Sequence, residues 1–212
     1  MPQNGDMTAL FPRCGNRHRH PARALAAAGL LALGVLCAAP AAAASISGQS
    51  FDDRIQLADT PLQLNGVGLR AVAWLKGYAA GLYLRDKART PALVLATAGP
   101  KRLRMKMMLK VEAKEFIKAF HKGIARNVPA DEQAKLAERM ALFDAAVNQI
   151  GTVKKGDVVD LDFVPGVGTQ LLLNGAPRGA VLPGDDLYAG LLKIFIGDKP
   201  VDAELKAGLL GG

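Results

Sequence analysis

Alternation of apolar and polar residues predicts several β-strands in the first half of the chain. Residues 51–57 and 62–72 are strand-like, and Asp59-Thr60-Pro61 divides them. Residues 74–84 predict a longer strand. A further strand has Leu103, Met105, Met107 and Leu109 on one face and Arg102, Arg104, Lys106 and Met108 on the other. The second face carries the charges, so we expect it to be solvated.

The spacing of apolar residues becomes helical from Ala113, and a second helix is predicted after Pro129. The chain ends in two further predicted helices. The first of these has Asp185 or Asp186 as its N-terminal cap and Gly197 as its stop.

Strands return between these two pairs of helices. Residues 157–163 alternate again, and Asn174-Gly175 between two apolar runs is the strongest hairpin signal in the chain. Strands and helices in this order, without strict alternation, predict an α+β fold around an antiparallel sheet.

Residues 1–44 have the features of a secretory signal peptide of the Sec type. Arginines precede an apolar run from Ala24 to Ala39, and small residues allow cleavage near Ala43 or Ala44. The run is shorter than the roughly 20 residues that span a bilayer. We therefore expect a periplasmic or secreted protein, residues 45–212, with no stable membrane anchor after cleavage.

Loss of this leader would remove several kinds of chemistry. Both cysteines, Cys14 and Cys37, lie within it, so disulfides, thiolate catalysis and cysteine zinc sites are excluded for the mature chain. Serine remains only at Ser45, Ser47 and Ser50, which leaves a serine hydrolase without a nucleophile. Four arginines and one aspartate depart, so the net charge falls from +8 to +5. This charge is no nucleic-acid signature by itself, and we predict no nucleic-acid partner.

The remaining polar candidates have ordinary structural explanations. Asp160 and Asp162, with Asp157 nearby, suggest a hard-cation site, but solvated carboxylates on one strand face explain them more simply. His121 lies off the apolar stripe of its helix and is interpreted as a surface histidine. No metal and no cofactor is predicted.

Five segments then follow one another in a distinctive order. They read LNGVGLR, LKGYAAGLYL, LRMKMMLKVEAKEFIKAFHKGI, GDVVDLDFVPGVGTQLLLNGAPRG and LYAGLLKIFIGDKPV. From about Asp59 to the end, the chain resembles the chalcone isomerase family, in particular its bacterial exported members. The resemblance implies an open-faced β-sandwich, with a large antiparallel sheet, helices layered on one face, and a ligand cleft between the two layers.

Arg70 in the segment GVGLR admits two interpretations. From residue type alone, an arginine in a strand lies on a solvated face or forms an ion pair with a neighbour. The resemblance instead implies that Arg70 holds the anionic end of a ligand. A guanidinium is always charged and presents its donors in a planar fork, so in an apolar cleft it needs an anion.

The other catalytic positions of the family are not kept. Tyr78 stands where the family has a threonine, Phe116 where it has a helix tyrosine, Gly123 where it has an asparagine, and Tyr188 where it has a late serine or threonine. Lys76 matches a family lysine. Cyclisation of a chalcone needs several polar groups that orient one ketone. This activity is therefore not expected.

Fatty-acid-binding members of the family hold a carboxylate with an arginine and a tyrosine at about these places, which implies a clamp made by Arg70 and Tyr78. If the chain turns near residues 73–75, the two lie opposite each other in a hairpin. In a continuous strand they would be roughly 26 Å apart and no clamp would form. The acyl tail would need an apolar tunnel, for which the candidates are Met105, Met107, Leu109, Phe116, Phe120, Leu191 and Phe195.

The resemblance thus predicts a non-catalytic binder of a fatty acid or similar amphipathic carboxylate. Its predicted ligand-binding residues are Arg70, Tyr78, Lys76, Phe116, Phe120, Met105, Met107 and Tyr188. One alternative is an isomerase of the intramolecular lyase type, in which Arg70 stabilises an oxyanion and Tyr78 or Tyr188 donates a proton. Another is a structural envelope protein that needs neither Arg70 nor a cavity.

Overall fold

The structure is a computed structural model that describes residues 43–72 and 75–212. Its strands are β1 Ala43–Ile46, β2 Gln49–Asp52, β3 Arg54–Leu57, β4 Thr60–Val72, β5 Leu75–Leu84, β6 Lys101–Met107, β7 Val111–Glu112, β8 Thr152–Val153, β9 Val158–Val164, β10 Gly168–Leu173 and β11 Ala176–Leu182. Its helices are α1 Pro91–Ala96, α2 Ala113–Asn127, α3 Ala130–Ile150, α4 Asp185–Ile196 and α5 Ala203–Leu209. Apart from Ala43 and Ala44, the predicted signal peptide lies outside the described residues.

One antiparallel sheet of seven strands organises the chain, in the order β11-β10-β9-β6-β5-β4-β3. Some strands that follow one another in the sequence pair through a tight connection, as β10 and β11 do at Asn174-Gly175, where both residues have positive φ. The predicted α+β class and the large antiparallel sheet are confirmed. None of the helices in the described part of the chain is both long and apolar enough to cross a bilayer.

The main core lies between one face of this sheet and the helices. Across the sheet, Leu82 of β5 pairs with Leu103 of β6, which pairs with Leu161 of β9 and then with Leu171 of β10. All four are buried, and they pack in one cluster with the apolar stripes of α2, α3 and α4. We call this the helix-covered face.

The opposite face is covered in part by the β1–β2 hairpin. Phe51 of this hairpin packs in a second cluster with Leu62, Leu64, Ala79 and Tyr83. A Cβ atom on Gly81 would lie 2.7 Å from the Phe51 ring, so the absence of a side chain at that position admits the phenyl group.

Charged residues on this second face are paired across strands, which corrects the prediction that they are solvated. Asp160 and Asp162 of β9 are only 2% and 5% exposed. Arg104 donates to both oxygens of Asp160 at 2.8 and 2.9 Å, and Arg102 makes the same two-bonded pair with Asp162. Such charge-assisted pairs compensate the carboxylates for lost water.

Helix α4 also differs from the prediction at its start. Its N-terminal cap is Gly184, and neither Asp185 nor Asp186 caps it, because both lie within its first turn. Asp186 instead forms an ion pair with Arg139 of α3. The predicted stop at Gly197 is confirmed as the C-terminal cap.

Helix α5 lies unusually close to β4 on the helix-covered face. Gly68 has no side chain, and a Cβ atom there would lie 2.6 Å from the Leu205 carbonyl oxygen and 2.9 Å from its Cα. The buried Asn65 amide holds the end of the helix, because its Nδ2 donates to the carbonyl oxygens of Leu209 and Ala88 at 2.7 and 2.9 Å. The strand therefore fixes the position of the helix and of its N-terminal cap, Asp202.

Candidate ligand-binding site

Arg70 and Tyr78 lie side by side on neighbouring strands of a hairpin. Val72 pairs with Leu75, and Arg70 pairs with Tyr78. The connecting residues, 73 and 74, lie outside the described residues. The continuous strand that would have separated the two side chains is thus excluded by the register.

Lys76 is not part of this arrangement, contrary to the prediction. The register shifts between Arg70 and Ala71, and Ala71 pairs with Lys76, so Gly77 is an extra residue in β5. A bulge of one residue reverses the alternation of side chains. Lys76 is consequently exposed and does not line the cavity described below.

An apolar cavity of about 450 Å³ lies between the sheet and the helices. A volume of this size is within the usual range for small-molecule sites. Six of the predicted tunnel residues line it, namely Met105, Met107, Phe116, Phe120, Leu191 and Phe195. Sheet residues of β9 and β10 and helix residues of α3 complete the wall, among them Phe143, Val147, Val159, Leu161 and Leu171.

The charged and hydroxyl-bearing side chains on this wall are Arg70, Tyr78 and Glu115. Arg70 is a quarter exposed, at 24%, and its Nη1 donates to the Ala71 carbonyl oxygen at 2.7 Å and to Asp202 at 3.1 Å. Among the described residues, no hydrogen bond leaves from its Nε or Nη2. The guanidinium therefore combines an internal ion pair with donors that remain available to a ligand.

Asp202 has two roles in this arrangement. One carboxylate oxygen caps α5 by accepting from the Leu205 N–H at 3.0 Å, and the other accepts from Arg70. The ion pair predicted for Arg70 from residue type is therefore present. The cavity beside Arg70 is the feature that the other interpretation requires, in which Arg70 holds a ligand.

The Tyr78 hydroxyl is a hydrogen-bond donor in this setting. Burial raises the pKa of Tyr78 well above its ordinary value, and the nearby Arg70 only partly opposes this effect. The phenol is consequently neutral at physiological pH and able to donate to an anion.

Tyr188 and Leu109 were expected near the ligand, but the structure places both outside the cavity wall. The Tyr188 hydroxyl donates to the Leu161 carbonyl oxygen at 3.2 Å, and its ring stacks on Phe163 at 5.1 Å between centroids. Burial raises its pKa far above the ordinary value. Tyr188 is a packed core residue in this structure, and Leu109 follows the end of β6.

Two site residues were missed by the sequence interpretation. Glu115 looks like an ordinary first-turn acid of α2, and Asp202 looks like a helix cap. The sequence did carry one indication for Asp202, because aspartate is a preferred N-terminal cap of a helix. Its contact with Arg70 joins residues that are 132 positions apart, and local patterns hold no information about such a contact.

Metal ligands are not gathered at this site or elsewhere in the described residues, where no group of three His, Cys, Asp or Glu side chains is placed to hold an ion. His121 instead contacts Asp144 at 2.7 Å. Its surface position agrees with the sequence interpretation.

The fold agrees with comparisons to known proteins. The chalcone isomerase-like family model matches residues 43–211, and the chain belongs to this family. A crystal structure of a fatty-acid binding protein from Arabidopsis thaliana superposes with a TM-score of 0.57 at 18% identity, covering 80% of this chain and 96% of that one. No curated protein matches the sequence.

Proposed function

We propose that this protein binds a fatty acid or a similar amphipathic carboxylate and does not transform it. The observation that carries the proposal is the apolar cavity with Arg70 and Tyr78 adjacent on its wall. The fatty-acid binding of the structurally similar Arabidopsis protein supports the same class of ligand.

The two ends of such a ligand match the two kinds of surface in the cavity. Each methylene group moved from water to an apolar wall contributes about 0.8 kcal/mol. The carboxylate loses water on entry, and this loss is offset if it accepts from the Arg70 guanidinium and the Tyr78 hydroxyl. Arg70 Nε and Nη2 supply the donors that Asp202 leaves free.

Binding without catalysis agrees with the polar groups that line the cavity. Phe116 has no polar side-chain atom, although the resemblance places a catalytic tyrosine there. Tyr188, the alternative proton donor, is bonded to a backbone carbonyl outside the cavity. An intramolecular lyase of this family needs several polar groups oriented on one carbonyl. Of the family's catalytic set, the wall keeps the arginine, as Arg70, and its other charged or hydroxyl-bearing side chains are Tyr78 and Glu115.

Calorimetric titration with oleate and with oleyl alcohol tests the proposal. The two probes share one chain and differ in the head group, so we expect oleate to bind at least tenfold more tightly. Tyr78→Phe should weaken oleate binding about tenfold, because a hydrogen bond to a charged group contributes about 1.5 kcal/mol, and should leave oleyl alcohol nearly unchanged. Equal affinities for the two probes, or no binding of either, would contradict the carboxylate site.

We also propose export to the periplasm or the medium, on the strength of the arginines and apolar run in residues 1–44. Fractionation of the producing cells, with mass measurement of the recovered chain, tests this. The expected N-terminus lies near residue 44 or 45, and a chain retaining residues 1–40 in the cytosol would contradict it.

A further inference from the structure

A second, polar groove of about 280 Å³ adjoins the apolar cavity. Arg70, Glu115, Ala119, Ile194 and Val201 line both, so the two spaces meet at these residues. An acyl chain in the cavity that presents its head group at Arg70 therefore presents it to this groove.

Four basic side chains line the groove beyond that shared boundary. Lys118, Lys122 and Arg126 are spaced by four residues along one stripe of α2, and Lys199 reaches the same groove from the segment between α4 and α5. All four are exposed. Within residues 43–72 and 75–212, none of them forms an ion pair.

The positive charge of the groove exceeds what a carboxylate requires. Arg70 is already neutralised by Asp202, and Glu115 is the one acid among the groove-lining residues. Four uncompensated cations against a single acid repel one another and leave a field that favours an anion of higher charge.

We propose that the groove binds the phosphate of a phosphate-bearing acyl lipid while the apolar cavity holds its chain. A phosphate monoester carries a charge of about −1.5 to −2 at neutral pH and offers three strong acceptor oxygens. Lysine binds phosphate as a mobile point charge, which suits three exposed side chains that approach from two elements. The inference rests on the proposed function, because it uses the same cavity for the acyl chain.

The test measures binding of four probes to the purified protein by calorimetry. These are oleoyl lysophosphatidate, oleate, mono-oleoylglycerol and inorganic phosphate. The test variant is Lys118→Gln with Lys122→Gln, and the control is Lys135→Gln with Lys155→Gln, which removes the same charge from exposed sites outside the groove. Wild-type protein should bind lysophosphatidate at least tenfold more tightly than oleate or mono-oleoylglycerol.

The variants separate a head-group site from a general effect of charge. The groove variant should weaken lysophosphatidate binding about five- to tenfold and oleate binding less than about twofold, and raising the salt concentration should reproduce part of the loss. The control variant should leave both nearly unchanged.

Three results would overturn the inference. If oleate binds as tightly as lysophosphatidate, the phosphate is not recognised, although the proposed function survives. If inorganic phosphate binds as well as the lipid and does so independently of the chain, the groove is a free phosphate site. If no acyl probe binds, both the inference and the proposed function fail.

Discussion

The contact between Arg70 and Asp202 determines how much positive charge the cavity offers to a ligand. Asp202 accepts from Arg70 Nη1 at 3.1 Å, so a ligand carboxylate bound at Nε and Nη2 would share the same guanidinium with Asp202. An incoming carboxylate therefore competes with a resident one, and the affinity depends on the balance between them.

Asp202→Asn should strengthen oleate binding about fivefold. Asparagine caps a helix about as well as aspartate, so the Leu205 N–H keeps its acceptor. The resident charge is removed and the repulsion it exerts on a bound carboxylate disappears, an effect of about 1 kcal/mol for a partly exposed pair. Calorimetric titration measures the change.

Asp198→Asn serves as the matched control, because this neighbouring aspartate is exposed and forms no ion pair among the described residues. It should leave oleate affinity unchanged. Weaker oleate binding by Asp202→Asn, at unchanged unfolding free energy, would show that Asp202 orients Arg70 for the ligand and does not compete with it.

The three tyrosines of the chain should resist ionisation in the folded protein. Burial raises the pKa of Tyr83 to about 12, opposed in part by Arg104, and it raises the pKa values of Tyr78 and Tyr188 as well. An unfolded tyrosine loses its proton near pH 10. Above about pH 10 the folded state therefore binds more protons than the unfolded state, so tyrosine burial makes stability fall as pH rises toward 12.

Tyrosinate absorbance checks this directly. At about pH 11 the native protein should show little tyrosinate, and adding denaturant at the same pH should release it. A native titration with a midpoint near 10 would mean that these phenols contact water, contrary to the described burial.

Helix α5 and strand β4 form the element pair that positions Asp202. Gly68→Ala should destabilise the fold by about 1–3 kcal/mol, because the new methyl group would meet the Leu205 backbone and force the helix away from the strand. Urea unfolding measures the change.

Gly77→Ala is the control for this prediction. A Cβ atom there would lie 3.4 Å from the Arg70 carbonyl oxygen, an ordinary contact, so its unfolding free energy should change by less than about 1 kcal/mol. A loss at Gly77 as large as that at Gly68 would indicate a general cost of replacing glycine in this hairpin.

At the level of elements, local pattern predicted most of what the structure contains. The alternation from Leu103 to Met107 placed the cavity-facing side chains correctly, because one face of β6 is buried and fixes the register. The charges on the other face were misjudged. Whether Arg102 is solvated depends on Asp162, which is 60 residues further along the chain, and spacing within one strand cannot show that pairing.

The bulge at Gly77 made the local pattern misplace a residue of the site as well. Regular alternation puts Lys76 and Tyr78 on one face, whereas the extra residue separates them. The sequence prediction placed Arg70 opposite Tyr78 by assuming a turn near residues 73–75, and the strand register has this pair. The cavity itself was expected only from the resemblance. An apolar stripe has the same sequence pattern whether its side chains pack on other residues or line a cavity.

At the level of the whole molecule, the sheet and helices leave between them a partly open apolar space that their own side chains do not fill. Its volume of about 450 Å³ is in the range of small-molecule sites, whereas voids in a packed interior seldom exceed the size of a water molecule. The adjacent positions of Arg70 and Tyr78 on its wall give that space a polar end.

Native mass spectrometry of the protein after a mild purification tests the central claim most directly. Wild type is measured beside the charge-neutral pair of changes Arg70→Gln with Asp202→Asn, and beside Arg85→Gln, which alters an exposed arginine outside the cavity. We expect bound mass that is released on denaturation as a fatty acid or a related acyl anion, retained in Arg85→Gln and depleted in the double variant. A wild-type protein that carries no bound mass, and takes up none when oleate is added, would contradict the account.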